Sequence, residues 1–211
     1  MARRVLLLAG LTLALVVGFG RGRPVQAATL TVCPSGPPTC QYSSIQAAIN
    51  AASNGDTIQI AAGTYTGSLT IPGTTSPLTL VGAGSSQTTI QGSGFGSVLM
   101  VAAGTVSISN VTITNGDSPT GSGGGIYNSG TLTVSGSVIT GNTAGLGGGI
   151  YNTPGGTVKL TYSIVSSNTA TGGPGSGGGI YNHSGGTVQL TFSIVSSNTP
   201  DNCDGTTCSL F

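Results

Sequence analysis

The chain repeats itself. "GTVSISNVTITNG" begins at Gly104, "GTLTVSGSVITGN" at Gly130, "GTVKLTYSIVSSN" at Gly156 and "GTVQLTFSIVSSN" at Gly186. The starts lie 26, 26 and 30 residues apart, and the longer interval fits an insertion around "TGGPGS". A fixed period of this length signals stacked supersecondary units, each with an apolar face that only its neighbours can cover. The period matters because the chain holds 38 glycines and 10 prolines in 211 residues. Without a repeat, that composition approaches the level seen in disordered chains.

The pattern inside each copy identifies the unit. Val106 and Ile108, Leu132 and Val134, Val158 and Leu160, and Val188 and Leu190 alternate with Ser107, Thr133, Lys159 and Gln189. Alternation of this kind is a strand with one buried face. A second strand follows, with Ile113, Ile139, Val165 and Val195 at one equivalent position. The third piece is "GGGIYN", written at Gly123, Gly147 and Gly177, with Ile126, Ile150 and Ile180 inward and Tyr127, Tyr151 and Tyr181 outward. Three short strands in about 26 residues make one coil of an all-β, single-stranded parallel β-helix. Leucine-rich repeats are excluded by the missing leucines, and propeller blades by the short period and the absence of tryptophan.

Asparagine recurs at the corners, as Asn142, Asn168 and Asn198 and as Asn128, Asn152 and Asn182. It tolerates turn conformations, and its amide can pair with the same amide one coil away. Before the repeats, "YSSIQAAINAASNGDTIQI" reads as a short capping helix: Ser43 or Ser44 starts it, and Ile45, Ala48, Ile49 and Ala52 share a face. The expected organisation is a signal peptide over 1–27, an N-terminal cap over 28–56, five to six coils over 57–200, and a tail over 201–211 with a cysteine pair.

Arg3 and Arg4 precede the apolar run Val5 to Val17, and "PVQA" ends in a small residue at Ala27. This is the pattern of a secretory signal, with an uncleaved anchor or a twin-arginine signal as alternatives. Past the leader, Lys159 is the one basic side chain, against Asp56, Asp117, Asp201 and Asp204. That balance gives no footprint for nucleic acid, and no membrane span is expected in the mature chain. In an exported protein Cys33, Cys40, Cys203 and Cys208 read as disulfide cysteines. If the ends of the domain are far apart, the local pairs Cys33–Cys40 and Cys203–Cys208 are the ones that can form.

"SIQAAINAASNGDTIQIAAGTYTGSLTI" resembles the N-terminal segment of secreted right-handed β-helix proteins of the pectate lyase and pectin esterase superfamily. The "GGGI" plus "VITGN" or "SIVSSN" units resemble the repeats of polymorphic outer-membrane proteins, with a third glycine in place of alanine and Ile139, Val165 and Val195 in place of phenylalanine. The resemblance spans about residues 41–200 and implies a right-handed helix on a secreted or cell-surface protein. Autotransporters with such repeats end in a barrel, and none is expected before Phe211.

Enzymes of the superfamily use calcium-binding carboxylates, paired aspartates or arginine, and glycosidases use two facing carboxylates. Here the four aspartates are scattered along the sequence, arginine is absent after the leader, and Lys159 and His183 fall at surface positions of the repeat. The sequence therefore leads to the expectation of a non-enzymatic extracellular scaffold with no catalytic residue, metal or cofactor. Its candidate contact strip for a polysaccharide or cell-surface partner is Tyr127, Tyr151 and Tyr181. A carbohydrate-active enzyme on the same fold is the alternative. An ice-binding face on the aligned hydroxyls Thr105, Thr131, Thr157, Thr187 and Ser109, Ser135, Thr161, Thr191 is a minor one.

Overall fold

The computed structural model describes residues 26–205 together with 208–209. Apart from its last two residues, the expected signal peptide lies outside them. The chain winds as a right-handed parallel β-solenoid of about seven turns with one short helix. Three sheets run its length. The first holds Thr29–Val32, Thr57–Ile60, Leu78–Gly82, Thr105–Ser109, Thr131–Ser135, Thr157–Thr161, Thr187–Thr191 and Cys208–Ser209. The second holds Gly63–Thr66, Thr88–Gln91, Thr112–Thr114, Val138–Thr140, Ile164–Ser166 and Ile194–Ser196. The third holds Leu69–Ile71, Leu99–Val101, Ile126–Asn128, Ile150–Asn152, Ile180–Asn182 and Cys203–Gly205.

The turn count exceeds the five to six expected, for a physical reason. Thr29–Val32, ahead of the helix, pairs in parallel with Thr57–Ile60, and the tail adds Cys203–Gly205 and Cys208–Ser209 to the other edge. These segments carry no repeat. They are strands because an open sheet edge offers unpaired N–H and C=O groups to any extended chain beside it. A fourth, short sheet was also missed: Asp117–Ser122, Thr143–Leu146 and Thr169–Ala170 stack between the second and third sheets in the later coils.

The register is strict where the repeats are strict. Leu132 lies beside Val106 and Val158, and Val134 beside Ile108 and Leu160, so like residues stack along the axis. Val106, Leu132, Val158, Ile126, Ile150 and Ile180 are completely buried. Full burial of such a side chain contributes about 1.5–3 kcal/mol, and the column repeats it coil after coil. At the N-terminal end the helix Ile45–Ala51 starts at Ser44, whose side chain accepts a hydrogen bond from the Ala47 N–H. Its buried residues Ile45, Ala48 and Ile49 join the same core. Asp56 is buried and accepts hydrogen bonds from the N–H groups of Ala28 and Ser53, which ties the first strand to the turn after the helix. Cys33 and Cys40 form a disulfide with Cα atoms 6.0 Å apart. Cys203 is disulfide-bonded too; the side chain of Cys208 lies outside the described residues.

Candidate functional site

"GGGIYN" builds the outer face of the third sheet. Gly147 has φ +62°, a region that favours glycine, and it turns the chain into the strand. The next glycine serves another purpose. A Cβ on Gly148 would lie 2.6 Å from the carbonyl oxygen of Gly178 and closer still to that of Thr169, so only a bare backbone lets adjacent coils approach. The N–H groups of Gly148, Gly149 and Ile150 then donate to the carbonyls of Gly177, Gly178 and Gly179 in the next coil. After Ile150 turns inward, Tyr151 must face outward and Asn152 inward, and Asn152 is fully buried.

The tyrosines form a row in register: Tyr127 pairs with Tyr151, and Tyr151 with Tyr181. Their rings stack with centroids 5.3 and 5.5 Å apart and planes inclined by 18° and 2°. All three are half-buried. Burial, and then the neighbouring phenols of Tyr127 and Tyr181, push the Tyr151 hydroxyl above the ordinary tyrosine range. The row continues beyond the tyrosines. Met100, 40% exposed, precedes Tyr127, and Asp204 follows Tyr181. The His183 ring meets Tyr181 edge-on, with centroids 6.3 Å apart. Asp204 thus continues the row past Tyr181 with its carboxylate beside Gly175, and His183 lies against the Tyr181 ring.

The other candidate residues lie elsewhere. Asp201 holds the backbone, accepting hydrogen bonds from the N–H groups of Gly175 and Gly178. Asp117 sits in the short sheet, paired through its backbone with Gly96. Lys159 is exposed on the outer face of the first sheet, in register with Thr133 and Gln189. The two hydroxyl columns of that face are in register but enclose Lys159 and Gln189 between them. Among the described residues no group of three or more His, Cys, Asp or Glu could hold a metal ion. A cleft of about 260 Å³ between the helix start and the strand Gly63–Thr66 is lined by residues such as Ser44, Gln46, Tyr65 and Leu69, with no carboxylate, histidine or lysine among them. No helix among the described residues is long and apolar enough to cross a membrane.

Sequence reasoning missed Asp204 because "CDG" does not look like "IYN". A signal existed. Cys203 follows Ile180 by 23 residues, close to the 24 between Ile126 and Ile150, so spacing alone aligns Asp204 with the tyrosines.

No family model and no curated protein matches the chain. Among solved structures, a pectin methylesterase from carrot is similar at 16% identity and TM-score 0.49, over 77% of this chain and 63% of that one. The pectin methylesterase of Aspergillus niger is similar at 17% identity and TM-score 0.44, over 88% of this chain and 82% of that one; its deglycosylated form gives 16% and 0.43. The chain thus spans less than two thirds of the carrot enzyme. These are likenesses of fold. They also correct one expectation: that a β-helix of this sequence is a non-enzymatic scaffold. The similar structures are pectin methylesterases, which stands against that expectation.

Proposed function

We propose that this protein is a carbohydrate-active β-helix that takes a polysaccharide along Tyr127, Tyr151 and Tyr181 and hydrolyses it where the row ends, beside His183 and Asp204. The observation that carries this reading is a match of repeats. The rings recur at 5.3 and 5.5 Å, a step close to the length of one pyranose residue in an extended chain. One phenol then serves each sugar. The rings use their faces on one another, so they offer the sugar their edges and hydroxyl groups.

Hydrolysis adds water across the bond. One group takes a proton from the attacking water, and another gives a proton to the leaving oxygen. Asp204 and His183 flank Tyr181 and can divide those tasks. The substrate is a neutral polysaccharide. Residues 28–211 hold one lysine and no arginine against four aspartates, so a polyuronate would meet net repulsion. The Cys33–Cys40 disulfide supports action outside the cell.

The test is release of reducing ends from a panel of neutral polysaccharides by the mature protein. Asp204→Asn and His183→Gln are expected to abolish release and keep binding, while Tyr151→Ser weakens binding. Binding without release by the wild-type protein, or release unchanged in Asp204→Asn, overturns the assignment.

A further inference from the structure

At the N-terminal end of the solenoid the three long sheets end on Thr29–Val32, Gly63–Thr66 and Leu69–Ile71. An end strand turns the N–H and C=O of every second residue away from its one neighbour. Two of these edges are closed. On Thr29–Val32 the Thr31 N–H donates to the Gln41 side-chain oxygen, and the Thr31 carbonyl accepts from the Tyr42 N–H. On Leu69–Ile71 the Gln46 amide meets both groups of Thr70, at 2.8 and 3.1 Å. The edge of the second sheet differs. Gly63 and Gly67 donate to Gln87 and Gln91 of the neighbouring coil, so Thr64 and Thr66 between them direct their backbone groups outward. Among the described residues nothing bonds the N–H or C=O of either one.

The cleft of about 260 Å³ lies at this open edge, with Thr64, Thr66 and Leu69 on one side and Pro34, Ser43 and Gln46 on the other. The buried side chains of Ile45, Tyr65, Leu69 and Ile90 contribute to its lining. The Tyr65 hydroxyl is already engaged, donating to the Ala61 carbonyl at 3.0 Å. The volume falls short of the roughly 300–1,000 Å³ of a pocket for a drug-sized molecule, and suits a single apolar side chain. Beside it Thr64 and Thr66 repeat a donor and an acceptor about 6.6 Å apart, the two-residue step of an extended peptide. No lining residue carries a countercharge for a charged guest.

We propose that this edge is a docking site for an extended, uncharged peptide segment of a partner protein, which adds to the second sheet as one more strand. Its backbone pairs with Thr64 and Thr66, and one apolar residue enters the cleft beside Tyr65. Strand addition to an open edge draws affinity from the main chain and specificity from alternate side chains. A second copy of this chain does not fit. Its own open strand in that sheet is Ile194–Ser196, but Cys203–Gly205 and Cys208–Ser209 extend the other two sheets past it, and Thr29–Val32 extends the first sheet past Gly63–Thr66. The site is remote from the tyrosine row in sequence and does not rest on the reading of that row.

The probe is acetyl-VTITN-amide, the sequence of residues 111–115, whose strand Thr112–Thr114 lies in this same sheet with Ile113 buried. Calorimetry on the full mature chain is expected to show binding, and acetyl-VTDTN-amide is expected to bind at least about tenfold more weakly. With the first peptide bound, amide hydrogen exchange should slow at Thr64 and Thr66 and stay unchanged at Thr31 and Thr70, whose N–H groups are already taken. Thr66→Pro removes one outward N–H and leaves the pairing to Thr88–Gln91 intact, so affinity should fall about fivefold or more. If that variant does not fold, the exchange pattern of the wild-type protein decides alone. The proposal is overturned by absence of binding, by equal affinity for the two peptides, or by unchanged affinity in folded Thr66→Pro. Protection at Ile194–Ser196 in place of Thr64 and Thr66 overturns it as well.

Discussion

The side-chain amide of Asn128 donates to the side-chain oxygen of Asn152 at 2.8 Å, and Asn152 repeats the contact to Asn182 at 2.8 Å. A parallel row runs from Asn142 through Asn168 to Asn198, and Asn202 ends it by accepting from Asn198. Apart from the exposed Asn202 these amides are buried between coils, and each also satisfies a backbone carbonyl of its own corner, such as Gly130 for Asn128 and Thr140 for Asn142. Among the described residues no buried side-chain nitrogen or oxygen is left without a partner.

Removing one rung should therefore cost more than one hydrogen bond. Asn152→Ala removes the contacts to Asn128 and Asn182 together with the donor that serves the carbonyls of Gly156 and Thr187 in a dry corner. A loss of about 3 kcal/mol in denaturant unfolding is expected. Asn152→Asp should be worse, because the carboxylate would face the carbonyls of Gly156 and Thr187. An Asn152→Ala protein as stable as wild type would show that the ladder is incidental.

The glycines of "GGGIYN" should differ from the loop glycines. Gly148→Ala drives a methyl group into the carbonyls of the next coil and should cost at least about 2–3 kcal/mol. Gly155 has φ +76° but open space around it, so Gly155→Asn should be close to neutral. Equal melting temperatures for the two variants would contradict the close approach of the coils.

The two faces of a strand should respond oppositely to charge. Ile150→Asp places a carboxylate among completely buried residues and should cost about 3–5 kcal/mol, enough to unfold a marginal domain. Lys159→Thr, on the exposed outer face, should stay within about 0.5 kcal/mol. Thermal unfolding of the pair checks this.

Alkaline pH should weaken the fold partly through Tyr151. Its folded pKa is raised by burial and by the phenols on either side, above an unfolded value near 10. The folded chain then holds the proton longer than the unfolded chain does. The stability is intact below about pH 10 and declines as pH rises past it. Tyr65, raised by burial alone, adds to the effect. Absorbance titration should show a late-ionising component that Tyr151→Phe reduces, and the alkaline loss of stability should shrink with it. An unchanged titration curve in that variant would contradict the assignment.

The parallel coils, their inward residues and the outward tyrosine row were legible in the residue pattern, because a strict repeat carries its own register. Alternation chose the faces of Val106, Leu132 and Val158, and identical spacing placed Tyr127, Tyr151 and Tyr181 one above another. Segments outside the repeat took their place only through pairing with neighbouring coils. Thr29–Val32 and Cys203–Gly205 became strands because exposed sheet edges needed hydrogen-bond partners. That same pairing set Asp204 against Tyr181. Neither segment carries the repeat that marks its place in the stack, although spacing aligns Asp204 with the tyrosine row. Each depends on which residue of a neighbouring coil lies one step along the axis, and that is fixed only when the coils close on one another.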